Sequence, residues 1–274
     1  MRVDALLEPD QAAEWIAVPG EHDDKYSRGV LGVITGSVRY PGAAVLSVEA
    51  AARTGVGMIR YLGPGRATRL VLQRRPEVVT AEGRVQAWLV GSGQDAADDD
   101  PMRDERIAQA IERAAPTVLD GGGLGLRARI PAPVVLTPHA GELARLLGVE
   151  RDEVNTDPRA AALEAARRLD AVVLLKGHTT HVADAAGRVL LARSAPTWLA
   201  TAGAGDALAG VLGALVATHA DAVAADAGVL VDLAATAAVL HGLAAERASR
   251  GGPLTILDLA AELPAAVAAL VHNH

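Results

Sequence analysis

One stretch of the chain sets an acid among closely spaced glycines at the start of a helix-forming run: Thr201-Ala202-Gly203-Ala204-Gly205-Asp206-Ala207-Leu208-Ala209-Gly210. Small residues let a backbone approach a ligand closely, and the free N–H groups of a first helical turn then point at an anion. The space suits a phosphate. Asp is also a good helix cap, so Asp206 alone could be no more than that, but a cap does not need glycine at both 203 and 205. An ionised Asp206 beside such a site could take a proton from a hydroxyl as that oxygen attacks phosphorus. Lysine usage is a second signal, because only Lys25 and Lys176 are lysines among 26 basic residues. A compact ammonium on a flexible stem reaches a phosphate as a point charge, which a planar guanidinium does not. Lys176, followed by Gly177, fits that task, whereas Lys25 reads equally well as a loop residue. His139 follows Pro138 and precedes Glu142 by three residues, which suits a capping box, a ligand contact, or both. His241, beside Leu240 and near Leu243, reads as a satisfied core histidine.

These residues fall where strands end or helices begin. Apolar runs at Val30 to Ile34, Val56 to Leu62, Val85 to Val90, Pro116 to Asp120, Val134 to Leu136 and Val172 to Leu175 read as strands. Ala43 to Ala52, with Glu49 on its wetter side, Ile107 to Ala114, a segment ending at Leu147, and Pro158 to Leu169 read as helices. His178 to Ala183 and Arg188 to Ala192 flank Asp184 to Gly187 as a hairpin would, and nearly everything after Asp206 reads as helix. Strands alternating with helices predict an α/β fold with a mostly parallel central sheet, helices on both faces and an antiparallel edge hairpin. In such folds ligands sit at the carboxyl ends of the strands, where Gly36-Ser37, Gly91-Ser92-Gly93, Thr137-Pro138-His139 and Lys176-Gly177 fall.

Composition narrows the function classes. The net charge of −7 opposes the basic footprint of a nucleic-acid binder. With no cysteine there is no disulfide, zinc thiolate site, iron–sulfur cluster or thiol catalysis. Phe is absent, so the core must be aliphatic. Ala207 to Val231 is interrupted by His219, Asp221 and Asp226, and no clean membrane span is expected; a cytoplasmic address is the simplest expectation. The Asp98-Asp99-Asp100 run reads as a solvated loop. With no linker or internal repeat, residues 1–274 read as a single domain.

Four motifs then agree in order, spacing and content. Gly36-Ser37-Val38-Arg39-Tyr40-Pro41-Gly42-Ala43 follows G-S-x-x-Y-x-G-A, and Thr137 to Glu142 is T-P-H-x-G-E. Lys176 to Thr180 is K-G-x-x-T, and Ala200 to Gly210 is A-T-x-G-x-G-D-x-L-A-G, with a later helix carrying His241-Gly242. From about Lys25 to Ala248 the chain resembles the ADP/ATP-dependent NAD(P)H-hydrate dehydratase family. That family is a ribokinase-like branch that repairs hydrated nicotinamide cofactors.

The resemblance implies a single ribokinase-like domain without an N-terminal epimerase domain. It also implies ADP-dependent dehydration of the S form of hydrated NADH or NADPH, with ADP or ATP as phosphoryl donor and Mg²⁺ as cofactor. Ala43, Gly93, His139 and Asp206 would contact the hydrated dinucleotide, with Asp206 the catalytic base. Lys176, Gly177, His178, Thr179, Thr180, Gly203, Ala204 and Gly205 would hold the adenine nucleotide. No metal ligands are assigned. A homo-oligomer, a tetramer by family analogy, is expected, with neither nucleic acid nor membrane as partner. The chain departs from the pattern at Gly91-Ser92-Gly93-Gln94-Asp95, where G-P-G-x-G is usual, and at Asp120-Gly121-Gly122-Gly123-Leu124, where D-A-D-x-L is usual. The runner-up is a vitamin-precursor kinase of the same superfamily, of the hydroxyethylthiazole type. A catalytically silent nucleotide sensor is the reading from another class.

Overall fold

Strands covered on both faces must be apolar at nearly every position. The short Val- and Leu-rich runs of this chain meet that demand. A computed structural model describes residues 5–95, 103–112, 114–193 and 195–272; the Asp98-Asp99-Asp100 run lies outside the described residues. The strands are β1 (Ala5–Leu6), β2 (Val30–Ile34), β3 (Met58–Tyr61), β4 (Ala87–Val90), β5 (Thr117–Leu119), β6 (Val134–Leu136), β7 (Val172–Leu175), β8 (Thr180–Ala183) and β9 (Val189–Ala192). The helices of the first half are α1 (Pro9–Ala13), α2 (Pro41–Thr54), α3 (Gly65–Arg74), α4 (Arg103–Glu112), α5 (Ala140–Leu147), α6 (Arg151–Thr156) and α7 (Pro158–Leu169). Those that follow the sheet are α8 (Ala204–Thr218), α9 (Ala220–Ala225), α10 (Leu230–Ser249) and α11 (Ile256–His272).

The sheet runs β1-β9-β8-β7-β6-β5-β4-β2-β3. Only β8 is reversed, antiparallel to both β7 and β9. The expected hairpin is present, but it lies one strand inside the edge because the two-residue β1 pairs parallel with β9. After β2 the chain steps outward to β3 and returns to β4 on the other side of β2, which makes a topological switch between β2 and β4. A crevice opens at such a switch.

Alternation along each strand divides the core. Leu31, Val33, Leu89, Val118, Val135, Val172 and Leu174 join the side chains of α2, α8, α10 and α11 on one face. Val30, Ile34, Trp88, Val90, Leu119, Leu136 and Val173 face α5 and α7 on the other. Gly32 makes room for the largest of these: a Cβ there would lie 2.3 Å from the Trp88 ring. One helix, Ala227–Ser249, is long and apolar enough by composition to cross a membrane, although no such span was expected from the sequence. Its most apolar window is 78% buried inside the molecule, as a core helix must be.

Two features of the first half differ from the sequence reading. Helix α3 went unread because its surface is rich in arginine and only Ala67 and Val71 are buried. Glu49 is the larger surprise. It is not on a wet face of α2 but fully buried, with Arg53 at 2.7 Å, Arg75 at 2.5 Å and Arg74 at 3.1 Å. Burial alone would raise its carboxyl, but the guanidinium hydrogen bonds of Arg75, Arg53 and Arg74 win and hold it at about 2. The carboxylate therefore clamps the end of α3 to the middle of α2. Breaking such a pair by removing one partner costs about 3–5 kcal/mol, with the lower end expected here because the arginines can turn to solvent. Glu49→Ala should lower the stability read by chemical denaturation accordingly. Because the folded pKa lies below the ordinary 4.5, this contribution is complete above pH 4.5 and is lost as pH falls toward about 2. The stability gap between wild type and Glu49→Ala should close over that acid window.

Candidate active site

The carboxyl ends of β4, β5, β6 and β7 and the start of α8 enclose one cavity of about 800 Å³. Its floor is built from helix α8. Gly203 forms the N-cap in the left-handed region at φ +92°, with no side chain capping the helix. The left-handed backbone favours glycine there, and a Cβ at 203 would also press on Leu46 Cδ1 at 2.4 Å. Asp206 is therefore not the cap; it lies within the first turn. Gly205 is small for another reason: a Cβ there would come within 3.2 Å of Lys176 Nζ, and its absence lets the ammonium lie against the helix terminus. Gly210 completes the arrangement further along, since a Cβ there would lie 2.2 Å from the Ser47 carbonyl of α2. The close crossing with α2 thus sets where α8 begins.

Opposite lies the turn between β6 and α5. His139 is its N-cap: Nδ1 accepts from the backbone N–H of Gly141 at 3.0 Å and of Glu142 at 3.2 Å. Glu142 returns a carboxylate oxygen to the His139 N–H at 2.8 Å. The capping box is present, and His139 also lines the cavity. The Lys176 N–H donates to the Pro138 carbonyl at 2.9 Å, which ties this turn to the end of β7.

Electrostatics centres on Lys176. Its ammonium donates to Asp120 Oδ1 at 2.8 Å and lies 3.9 Å from Glu142 Oε2. Burial would lower this ammonium, but the carboxylates of Asp120, Glu142 and Asp206 hold it above its ordinary value. Asp120, 4% exposed, also accepts from Ser92 Oγ at 2.8 Å and Thr137 Oγ1 at 2.7 Å. Asp206 differs from the sequence expectation of an ionised acid. Its burial and the charge of Asp120 push its carboxyl up to about 7, against the pull of Lys176. At neutral pH it is poised between acid and base, which suits a group that accepts and returns a proton.

Of the residues expected from sequence, Gly93, His139, Lys176, Gly177, His178, Thr180, Gly203, Ala204, Gly205 and Asp206 line this one cavity. Ala43 stands behind Gly93, where an added Cβ would lie 2.2 Å from its own. Thr179 is outside the lining, its hydroxyl accepting from Arg193 Nε at 3.1 Å. In the altered turn Gly91 and Gly93 both take left-handed backbone, at φ +108° and φ +65°. Sequence reasoning did not assign Asp120 a role, although an acid closing a buried strand before three glycines was a usable signal. The wall from Ala195 to Ala200 was also missed, and nothing in its composition marked it. His241 is not a satisfied core histidine: its buried Nε2 has no hydrogen-bond partner, and the ring lines the cavity.

The sequence profile described as NAD(P)H-hydrate dehydratase matches residues 31–263. The bifunctional NAD(P)H-hydrate repair enzyme Nnr of Mycobacterium tuberculosis is 44% identical over 221 residues, covering 76% of this chain and 45% of that protein. This chain spans about half the length of the Nnr relatives it matches. The ADP-dependent (S)-NAD(P)H-hydrate dehydratase of Xanthomonas campestris is 32% identical, over 76% of this chain and 79% of its own. Among solved structures, the ADP/ATP-dependent NAD(P)H-hydrate dehydratase of Bacillus subtilis, co-crystallised with ATP/Mg²⁺, superposes with a TM-score of 0.86. It is 24% identical and covers 97% of this chain and 99% of its own. At that identity the likeness shows the fold alone, which is ribokinase-like.

The raised carboxyl of Asp206 has a consequence for stability. A carboxyl whose folded pKa lies above its ordinary 3.8 favours folding below that value and loses its contribution as pH rises to about 7. Asp206→Asn removes the penalty while keeping the size. Its melting temperature should match wild type near pH 4, gain steadily to about pH 7 and stay a few degrees higher above it. A constant gap across pH 4–9 would show that Asp206 does not titrate in this window.

Proposed function

We propose that this chain, which belongs to the NAD(P)H-hydrate dehydratase family, dehydrates the S form of hydrated NADH or NADPH at the cost of an adenine nucleotide. ADP yields AMP and phosphate. The observation that carries this reading is that Asp206, the uncapped start of α8 and Lys176 share one cavity with Gly93 and His139. A phosphoryl donor and a hydroxyl-bearing second substrate can therefore meet at Asp206. The name of the Xanthomonas relative supports the same reaction and the same epimer.

The steps follow from the positions of these groups. The helix N–H groups of Gly205 and Asp206 and the Lys176 ammonium hold the phosphates of the nucleotide. His139, whose Nδ1 is committed to the cap, carries its ring proton on Nε2 when neutral and offers it as a donor to the hydrate. Asp206 accepts the proton of the C6 hydroxyl while that oxygen attacks the terminal phosphorus, and the bond from phosphorus to the leaving nucleotide breaks. The C6–O bond then breaks under the push of the ring nitrogen's electron pair. Phosphate departs, and loss of a proton from C5 restores the ring double bond. A small-molecule kinase would stop after the first transfer.

Mg²⁺ fits the donor set. Asp120 and Glu142 already converge on one cation, and Mg²⁺ is commonly bound by one or two carboxylates together with substrate phosphates. When bound, the ion would neutralise charge on the transferring phosphoryl group.

Incubation with a mixture of epimeric hydrates and ADP should restore dihydronicotinamide absorbance until the S form is spent. Further rise should follow only the slow spontaneous conversion of the R form. Asp206→Asn should lower kcat by roughly 10²–10⁴ while leaving ADP affinity within a few-fold. Formation of a stable phosphorylated product instead would assign the chain to the kinases. Lys176→Arg, with a bulkier planar head against Gly205, should weaken ADP binding by about tenfold or more in titration calorimetry. Unchanged affinity in both Lys176→Arg and Lys176→Ala would move the phosphate site elsewhere.

A further inference from the structure

Four neighbouring strands, β4, β5, β6 and β7, each place a polar residue just past the carboxyl end: Ser92, Asp120, Thr137 and Lys176. Together these residues form one hydrogen-bonded row. Ser92 Oγ donates to Asp120 Oδ2 at 2.8 Å, while Thr137 Oγ1 and Lys176 Nζ both donate to Oδ1, at 2.7 and 2.8 Å. The Thr137 hydroxyl also lies 3.4 Å from the Leu119 carbonyl, so its single proton serves the nearer carboxylate. Ser92, Thr137 and Asp120 are buried, whereas Lys176 lines the cavity. The two hydroxyls come from the strands on either side of β5 and reach different oxygens of the carboxylate, which fixes its plane. The carboxylate in turn fixes the ammonium.

We propose that Ser92 and Thr137 are positioning residues for the phosphate-binding lysine: through Asp120 they hold the Lys176 ammonium beside the start of α8 before a nucleotide arrives. The inference rests on the nucleotide reading above and deepens it. A lysine head rides on a flexible four-carbon stem, and ordering it only on binding costs affinity. Here the head is already placed next to Gly205, where a Cβ would come within 3.2 Å of Nζ. An ammonium has three N–H donors; Asp120 takes one, and Glu142 at 3.9 Å is beyond hydrogen-bond reach. A buried carboxylate short of donors would draw more of that ammonium to itself. The two hydroxyls meet the need instead, so Lys176 is oriented and keeps donors for a phosphate. At the position of Ser92 the usual G-P-G-x-G pattern carries proline, which has no hydroxyl, so this half of the clamp belongs to this chain and not to the motif.

Titration calorimetry with ADP and no hydrate, carried to millimolar nucleotide, tests the clamp apart from the dehydratase reaction. Ser92→Ala and Thr137→Val should each weaken ADP binding about fivefold, the scale of one hydrogen bond. Thr137→Ser keeps the hydroxyl and should stay within about twofold of wild type. If Ser92→Ala folds poorly, the comparison of Thr137→Val with Thr137→Ser carries the same test. In a Lys176→Ala background, Ser92→Ala and Thr137→Val should cost no further affinity, because the group they position is gone. Equal losses with and without Lys176 would overturn the proposal, as would lowered melting temperatures with unchanged ADP affinity; either result would leave the two hydroxyls a structural role only. Wild type that binds no ADP would overturn the nucleotide reading itself. Wild type that binds ADP no more tightly than Ser92→Ala and Thr137→Val do would overturn this inference alone.

Discussion

Three carboxylates, from Asp120, Glu142 and Asp206, surround one ammonium, that of Lys176. Most of the site's chemistry follows from this imbalance. The ammonium bonds Asp120 directly and lies close to Glu142, so both are compensated by the same cation. Asp206 receives the remainder, feeling the repulsion of Asp120 and its own burial more than the attraction of Lys176. Burial first, and the charge of Asp120 second, therefore raise this third acid to about 7, which suits a group that accepts and returns a proton. The arrangement also suits incoming ligands. A nucleotide adds negative charge that the ammonium and the helix N-terminus can meet, and a divalent ion would relieve the crowded acids.

The rest of the fold holds these groups at the required distances. Helix α8 starts close beside Lys176, where a Cβ on Gly205 would come within 3.2 Å of Nζ, and its course is set where Gly210 meets the Ser47 carbonyl of α2. Helix α2 is in turn clamped through Glu49 to Arg74 and Arg75 at the end of α3. A buried ion cluster thus anchors the helix against which α8 is packed. On the opposite wall, the backbone bond from Lys176 to Pro138 links the His139 turn to the same lysine. The site is thus supported on both sides by sheet and helix.

The two departures from the family motifs fall in this same frame. At the turn from Gly91 to Asp95 the glycines that need left-handed backbone remain, and Ser92 in the position usually held by proline donates a hydrogen bond to Asp120. At Asp120 to Leu124 the second acid of the usual motif is gone, but the first is held by Ser92, Thr137 and Lys176 together. The chain has kept the acid that faces the ammonium.

Much of this was legible in the sequence, because it rests on local patterns. Alternating apolar runs specified the parallel strands, and glycine and proline punctuation located the turns that carry Gly93, His139, Lys176 and Asp206. The capping box at His139 and Glu142 was visible as a spacing of three. What sequence could not decide depends on neighbours distant along the chain. Glu49 reads as solvated until arginines 25 and 26 residues away close over it. Asp120 acquires its importance from a lysine 56 residues on. His241 reads as ordinary core until α10 is laid beneath the start of α8, leaving one buried nitrogen unpaired on a residue that lines the cavity. The protonation of Asp206 likewise depends on desolvation and on charges from other strands. Residue spacing sets backbone conformation, whereas the electrostatic state of a group is set by what surrounds it in space, and only the tertiary structure decides that.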